Sequence, residues 1–134
     1  MQRAIEIAER GRGKVQPNPL VGCVLVRDGK IIAEGWHGNI GGFHAEQAAI
    51  ADAEERGITT SGSTAYVTLE PCNHHGRTPP CTEALLWAGV ERVIVGALDP
   101  NPTVRGGGLS ALRDVGVSVK NGILEKECKH QMRE

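Results

Sequence analysis

Three metal-binding side chains and one proton-carrying side chain stand out from the sequence: His44 with Glu46 two residues on, then Cys72 behind Glu70-Pro71, then Cys81. One imidazole and two thiolates form a donor set that zinc accepts tetrahedrally, and a catalytic zinc site keeps three protein ligands so that the fourth position is open to water. Such a site brings the pKa of water down to roughly 7. A carboxylate two residues beyond a ligand lies beside the metal without binding it, so Glu46 is placed to take a proton from water and hand it to a leaving group. The implied chemistry is metal-assisted hydrolysis with His44, Cys72 and Cys81 as ligands and Glu46 as proton carrier. Thr78-Pro79-Pro80-Cys81 reads as an N-cap, a proline at the first helical position and a cysteine in the first turn, where the helix dipole favours thiolate.

Each residue has a plainer reading. A lone histidine at a helix start is more often a cap or a solvated group, and the joint pattern is far more specific than its parts. Cys23, inside Val21-Gly22-Cys23-Val24, is a small buried hydrophobe of a strand, and Cys128 in the charged tail has no partner spacing, so neither is assigned a function. With no secretory signal, four cysteines point to metal binding or burial and to reduced thiols.

The elements that must position these groups follow from periodicity. Gln2 to Arg12 predicts an amphipathic helix, with Ala4, Ile5 and Ala8 at helical spacing. Leu20 to Val26 and Lys30 to Trp36 predict a hairpin turned by Asp28-Gly29, a dipeptide suited to positive backbone torsions. A second helix is expected over His44 to Arg56, ending at Gly57, and its alanines imply close packing on a sheet. Strands Ser63 to Leu69, Arg92 to Ala97 and Val117 to Lys120 alternate with helices Pro79 to Ala88, Gly106 to Val115 and Leu124 to Arg133. The class is α/β, a three-layer α/β/α arrangement with a mixed five-stranded sheet, helices on both faces and later strands parallel through right-handed crossovers. Active sites of such sheets lie beyond strand carboxyl ends, which singles out the loops after Trp36, Leu69 and Leu98.

At 134 residues the chain has the size of one domain, expected to span 1–134, with enough apolar residues for a core without staples. A net charge of -1 provides no long-range pull toward phosphate backbones or anionic membranes, and 3% aromatic residues leave few platforms for stacking bases. A small-molecule substrate is expected, with no nucleic acid and no membrane partner. No apolar run approaches the roughly 20 residues of a membrane span, and Met1 to Lys14 is charged throughout, so the expected location is cytoplasmic.

The pattern His-x-Glu, Glu-Pro-Cys and a second cysteine at a helix start is that of zinc deaminases. Over nearly its whole length the chain resembles the deaminase domain of bacterial riboflavin biosynthesis, the diaminohydroxyphosphoribosylaminopyrimidine deaminase. The resemblance rests on Thr68-Leu69-Glu70-Pro71-Cys72-Asn73-His74-His75-Gly76-Arg77-Thr78-Pro79-Pro80-Cys81, where eight residues part the cysteines rather than the two common in nucleoside and nucleic-acid deaminases. Pro17-Asn18-Pro19-Leu20-Val21-Gly22 and Asp99-Pro100-Asn101-Pro102 also look like family motifs. The resemblance implies a cytidine-deaminase-like fold, zinc, and hydrolytic loss of the 2-amino group of 2,5-diamino-6-(5-phosphoribosylamino)pyrimidin-4(3H)-one. It implies substrate contacts at Asn18, His37, His74, Arg77 and Asn101, with Arg77 on the phosphate because guanidinium matches phosphate oxygens bidentately. The plainer alternatives are loop histidines at 37 and 74 and turn-forming asparagines at 18 and 101.

Family members usually continue into a nicotinamide-dependent reductase domain, whereas this sequence stops at Glu134, so the reductase is separate, absent or cut away, a separate reductase being one partner the resemblance allows, and at least a homodimer is implied. The chain departs from the family at Phe43, where proline is usual, and in the tail Glu125 to Glu134. Two rival readings remain: a deaminase of another nucleoside, base or transfer RNA, with unchanged metal chemistry, and a non-catalytic zinc-binding interaction module. The second needs a closed four-ligand site, for which His74 or His75 would supply the fourth ligand.

Overall fold

Asp28 and Gly29 sit at φ 54° and 75°, the paired positive torsions of a tight hairpin turn. They join β1 (Gly22–Arg27) to β2 (Lys30–Trp36), antiparallel with Gly22 opposite Trp36 and an irregularity between Leu25 and Val26. The structure, a computed structural model, describes residues 1–73 and 80–132. The remaining elements are α1 (Gln2–Ala8), α2 (Ala45–Glu55), β3 (Thr64–Leu69), α3 (Cys81–Trp87), β4 (Arg92–Ala97), α4 (Gly107–Asp114), β5 (Ser118–Asn121) and α5 (Glu125–Met132). All five strands form one sheet in the order β2-β1-β3-β4-β5, antiparallel across β2-β1-β3 and parallel across β3-β4-β5. The mixed five-stranded α/β architecture is therefore as the periodicity implied.

Alternation along the strands sorts side chains between two helical layers. Cys23, Leu25, Ala65, Val67, Val93 and Val95 turn to one face, where they pack with Ala45, Ala49 and Ala53 of α2, Leu85 of α3 and Leu109 and Leu112 of α4. Val24, Val26 and Tyr66 turn to the other, against Ala4 and Ile7 of α1. The alanines of α2 let it lie directly on β2. A Cβ built on Gly35 would collide with the backbone of Ala45 and Ala49, so neither partner has room for a larger residue. This contact fixes the height of the start of α2 above the sheet, and with it His44 and Glu46.

Several boundaries shift by a residue or two, β1 for instance beginning at Gly22 rather than Leu20, and two of the differences have a local cause. The first helix tightens into a 3-10 turn at Glu9–Gly11. The helix expected from Pro79 begins at Cys81 with Pro80 as its N-cap, at φ -60° and ψ 153°. A proline in that extended conformation has no N–H to satisfy and serves as the half-in residue itself. The expected cap Thr78 and first-turn Pro79 lie outside the described residues. The charged tail does pack: Cys128 is fully buried beside Gly96, and the Gln131 side-chain amide donates to Ile5 O (2.8 Å) and Glu9 Oε2 (2.7 Å). Among the described residues no helix is long and apolar enough to cross a membrane.

Candidate active site

Because β1 alone runs against its neighbours, the segment leading into it arrives at the same sheet edge as the carboxyl ends of β2, β3 and β4. Four sequence-distant loops thus converge: Asn18 to Val21, His37 onward, Glu70 to Cys72, and Asp99 onward. His37 N–H donates to Val21 O (3.1 Å) and Glu70 N–H to Ala97 O (2.9 Å), stitching these loops in pairs.

His44 is the N-cap of α2, at φ -71° and ψ 164°, with its backbone N–H held by Gln47 Oε1 at 3.0 Å. Cys81 is the first residue of α3, and its N–H donates to Cys72 Sγ at 3.3 Å. His44 Nδ1 lies 3.3 Å from Cys81 Sγ and 3.8 Å from Cys72 Sγ. The three ligand atoms all lie within 4.8 Å of one another. Around a tetrahedral zinc, with Zn–S near 2.3 Å and Zn–N near 2.0 Å, neighbouring ligand atoms stand roughly 3.5–3.8 Å apart. The observed spacings fit that ion, and among the described residues no fourth His, Cys, Asp or Glu joins the cluster.

The electrostatics are those of a cation site. The Cys72 thiol is pulled down to about 4, chiefly by its hydrogen bond with the Cys81 sulfur, then by His44 and the Cys81 N–H, against the effect of burial. The same pairing, with burial, pushes Cys81 up, so without a cation one sulfur carries the charge and the other keeps its proton. His44 is raised by its bond to Cys72. Glu46, in the first turn of α2, is only 3% exposed. Burial drives its carboxyl up to about 7, with the Cys72 charge adding to the rise and its own backbone N–H and His44 opposing it. A carboxyl poised near neutrality can both accept and release a proton.

His44, Glu46 and Cys72 border a cavity of about 250 Å³ together with Asn18, His37 and Asp99. Of the five substrate contacts implied by sequence, Asn18 and His37 lie on this cavity and on each other. His37 is buried, its Nδ1 stands 3.0 Å from Phe43 O and its Nε2 3.2 Å from Asn18 Nδ2. A carbonyl only accepts, so Nδ1 donates to Phe43 O, and with the Asn18 amide nitrogen turned to it Nε2 is the acceptor. Phe43 is 59% exposed while its carbonyl anchors His37, so the site uses this position through its backbone. Asn101 is a turn former: its Oδ1 accepts from Thr103 N–H (3.0 Å) and its N–H donates to Asp99 Oδ1 (2.9 Å), and it is not among the residues bordering the cavity. His74 and Arg77 lie outside the described residues.

Two acidic residues were passed over by the sequence reading. Asp99 and Glu70 both border the cavity, and Glu70 is nonetheless almost fully buried, with both oxygens occupied by backbone N–H groups. A carboxylate at a strand's end just before Pro-Cys was the available signal for Glu70.

Comparison with known proteins places this geometry in context. The family model for the cytidine and deoxycytidylate deaminase zinc-binding region matches residues 1–97. The riboflavin biosynthesis protein RibD of Actinobacillus pleuropneumoniae is 54% identical over 96% of this chain, which spans 33% of that relative's length. The diaminohydroxyphosphoribosylamino-pyrimidine deaminase of Buchnera aphidicola subsp. Schizaphis graminum is 50% identical over 96% of this chain and 86% of its own. The solved structure of a diaminohydroxyphosphoribosylaminopyrimidine deaminase/5-amino-6-(5-phosphoribosylamino)uracil reductase from Thermotoga maritima superposes with a TM-score of 0.94 at 50% identity, over 99% of this chain and 38% of that one. The ligand spacing, the sheet order and these matches agree, and the chain belongs to the zinc-binding cytidine and deoxycytidylate deaminase family.

Proposed function

We propose that the chain catalyses hydrolytic deamination of 2,5-diamino-6-(5-phosphoribosylamino)pyrimidin-4(3H)-one, a step of riboflavin biosynthesis. Water adds at C2, the C–N bond to the 2-amino group breaks, ammonia leaves, and the water oxygen stays as the ring carbonyl. The carrying observation is the convergence of one imidazole and two sulfurs within 4.8 Å beside a buried carboxyl. The choice of substrate is supported by the long spacing between Cys72 and Cys81 and by the 50% identity to a deaminase of nearly this chain's length.

His44, Cys72 and Cys81 would hold zinc, which supplies Lewis acidity and brings water's pKa near neutrality. Glu46 takes the water proton and delivers it to the departing amine, which needs a carboxyl that titrates close to 7. Asn18 and His37 orient the base at the cavity wall. At about 250 Å³ the cavity suits a pyrimidine ring rather than a whole ribotide, since pockets for larger ligands run to roughly 300–1,000 Å³. The ribosyl phosphate then lies outside it, and the contacts that the family resemblance implies, Arg77 on the phosphate with His74 and Asn101, are proposed for this outer part of the substrate. The chain works as a deaminase domain, in the cytoplasm, as at least a homodimer, and its product goes on to a reductase.

Ammonia release from the ribotide, cytidine and deoxycytidylate, each offered to the zinc-loaded chain, tests the reading. Turnover on the ribotide at least about a hundredfold above the other two in kcat/KM, a discrimination of about 2.7 kcal/mol, is expected. Preference for cytidine or deoxycytidylate would overturn the choice of substrate. No ammonia from any of the three would overturn the proposed activity.

A further inference from the structure

Glu70 is a second buried carboxylate within a few residues of the ligands, 6% exposed, and its surroundings are opposite to those of Glu46. Its Oε1 accepts from the N–H groups of Asp99 (3.1 Å) and Gly106 (2.9 Å), and its Oε2 from those of Gly108 (2.9 Å) and Leu109 (3.4 Å). Four donors saturate the two oxygens and leave no lone pair aimed at a reacting atom. An amide nitrogen in place of either oxygen would face another N–H.

Three of these donors belong to the start of α4, whose N-cap Gly106 offers no side chain. Glu70 caps that helix from a different element, where the dipole also favours an anion. The contact is close: a Cβ on Gly108 would strike Pro71 O and stand 3.3 Å from Glu70 Cγ and Oε2. The segment from Asp99 to Gly108 is otherwise knit to itself, through Asp99 Oδ1 to Asn101 N–H and through the Arg105 guanidinium to the carbonyls of Asp99 and Pro100. Glu70 is thus the clamp between this segment, whose Asp99 borders the cavity, and the end of β3, which two residues later presents Cys72 to the metal.

We propose that Glu70 is a positioning residue for substrate binding: by clamping the Asp99 to Gly108 segment against the ligand loop, it sets the part of the cavity wall that Asp99 forms. The proposal rests on the reading above that this cavity receives the pyrimidine ribotide. Glu70 acts through the wall and not on the reacting atoms, so loss of the clamp removes binding shared by ground and transition states and appears in KM.

The test compares zinc-loaded Glu70→Gln with wild type. We expect KM for the ribotide to rise about tenfold or more, the equivalent of about 1.4 kcal/mol, with kcat within about threefold and zinc content unchanged. A merely structural role would lower the melting temperature and the active fraction without moving KM; that result, or loss of zinc, overturns the proposal. Without substrate, amide hydrogen exchange at Asp99, Gly106 and Gly108 should quicken about tenfold in the variant while the amides of β3 keep their protection; equal protection also overturns it. Should E70Q not fold, the wild-type chain saturated with deaminated product should show exchange at Gly106 and Gly108 slowed about tenfold, and unchanged exchange there overturns it. A wild type inactive on the ribotide refutes the substrate reading alone, and Glu70 is then judged by the substrate-free exchange.

Discussion

Replacing Glu46 by Gln keeps size and shape and removes the proton-carrying function, so its effects on stability and on turnover should part company. A general acid–base group contributes about 10²–10⁴ in rate, roughly 3–5 kcal/mol of barrier, and Glu46 serves both proton transfers, so kcat should fall by at least about 10³ while ribotide binding stays within a few-fold. Stability should move the other way. A buried carboxyl raised from 4.5 to about 7 binds its proton more tightly folded than unfolded, so the fold carries a penalty that is absent below the ordinary value and complete above 7, on the order of 3 kcal/mol. The neutral amide escapes it. In chelator-treated protein E46Q should therefore melt at or above wild type at pH 8, and the gap should close as the pH falls toward 4.5. Ammonia release, zinc content by elemental analysis and paired melts across pH 4.5–8 read all three effects. Wild-type turnover in E46Q would refute the proton shuttle, and a gap that widens on acidification would refute the account of burial.

Gly35→Ala places a methyl against the backbone of Ala45 and Ala49, so the start of α2 must lift; a loss of ~1–3 kcal/mol in urea unfolding and a clear drop in zinc affinity are expected, and an unchanged affinity would mean that α2 is not seated by this contact. The Arg3 guanidinium, bonded at 2.5 and 3.0 Å, holds the Glu34 carboxyl below its ordinary value of 4.5. A lowered folded value gives stability that is present above 4.5 and lost as the pH falls through the folded value, so Glu34→Gln should melt slightly below wild type at pH 7 and level with it in acid; a gap independent of pH would contradict the pairing.

Much of the metal site was legible because its chemistry lies in residue types at short, recognisable intervals. His44 and Glu46 share one helix start, and Cys72 and Cys81 flank one strand-to-helix connection, so local periodicity was enough to put each at an element's end. The hairpin was equally open to reading, since Asp28-Gly29 states its own torsions. What stayed hidden depends on partners far along the chain. Glu70 finds its donors in a loop and helix that only the parallel pairing of β3 with β4 brings alongside. His37 was picked out by resemblance, but its tautomer follows from the Phe43 carbonyl and the Asn18 amide, which meet it only once β1 and β2 are paired. The start of α3 was misplaced because either of two adjacent prolines could begin a helix, and the choice rests on the torsions of Pro80.

Zinc K-edge X-ray absorption on the chain purified without chelator is the most direct test of the whole account. One zinc per chain is predicted, with two sulfur neighbours near 2.3 Å and nitrogen or oxygen neighbours near 2.0 Å, and with the sulfur signal halved in Cys81→Ser. A chain that binds no zinc, or whose zinc keeps both sulfurs in that variant, would contradict it.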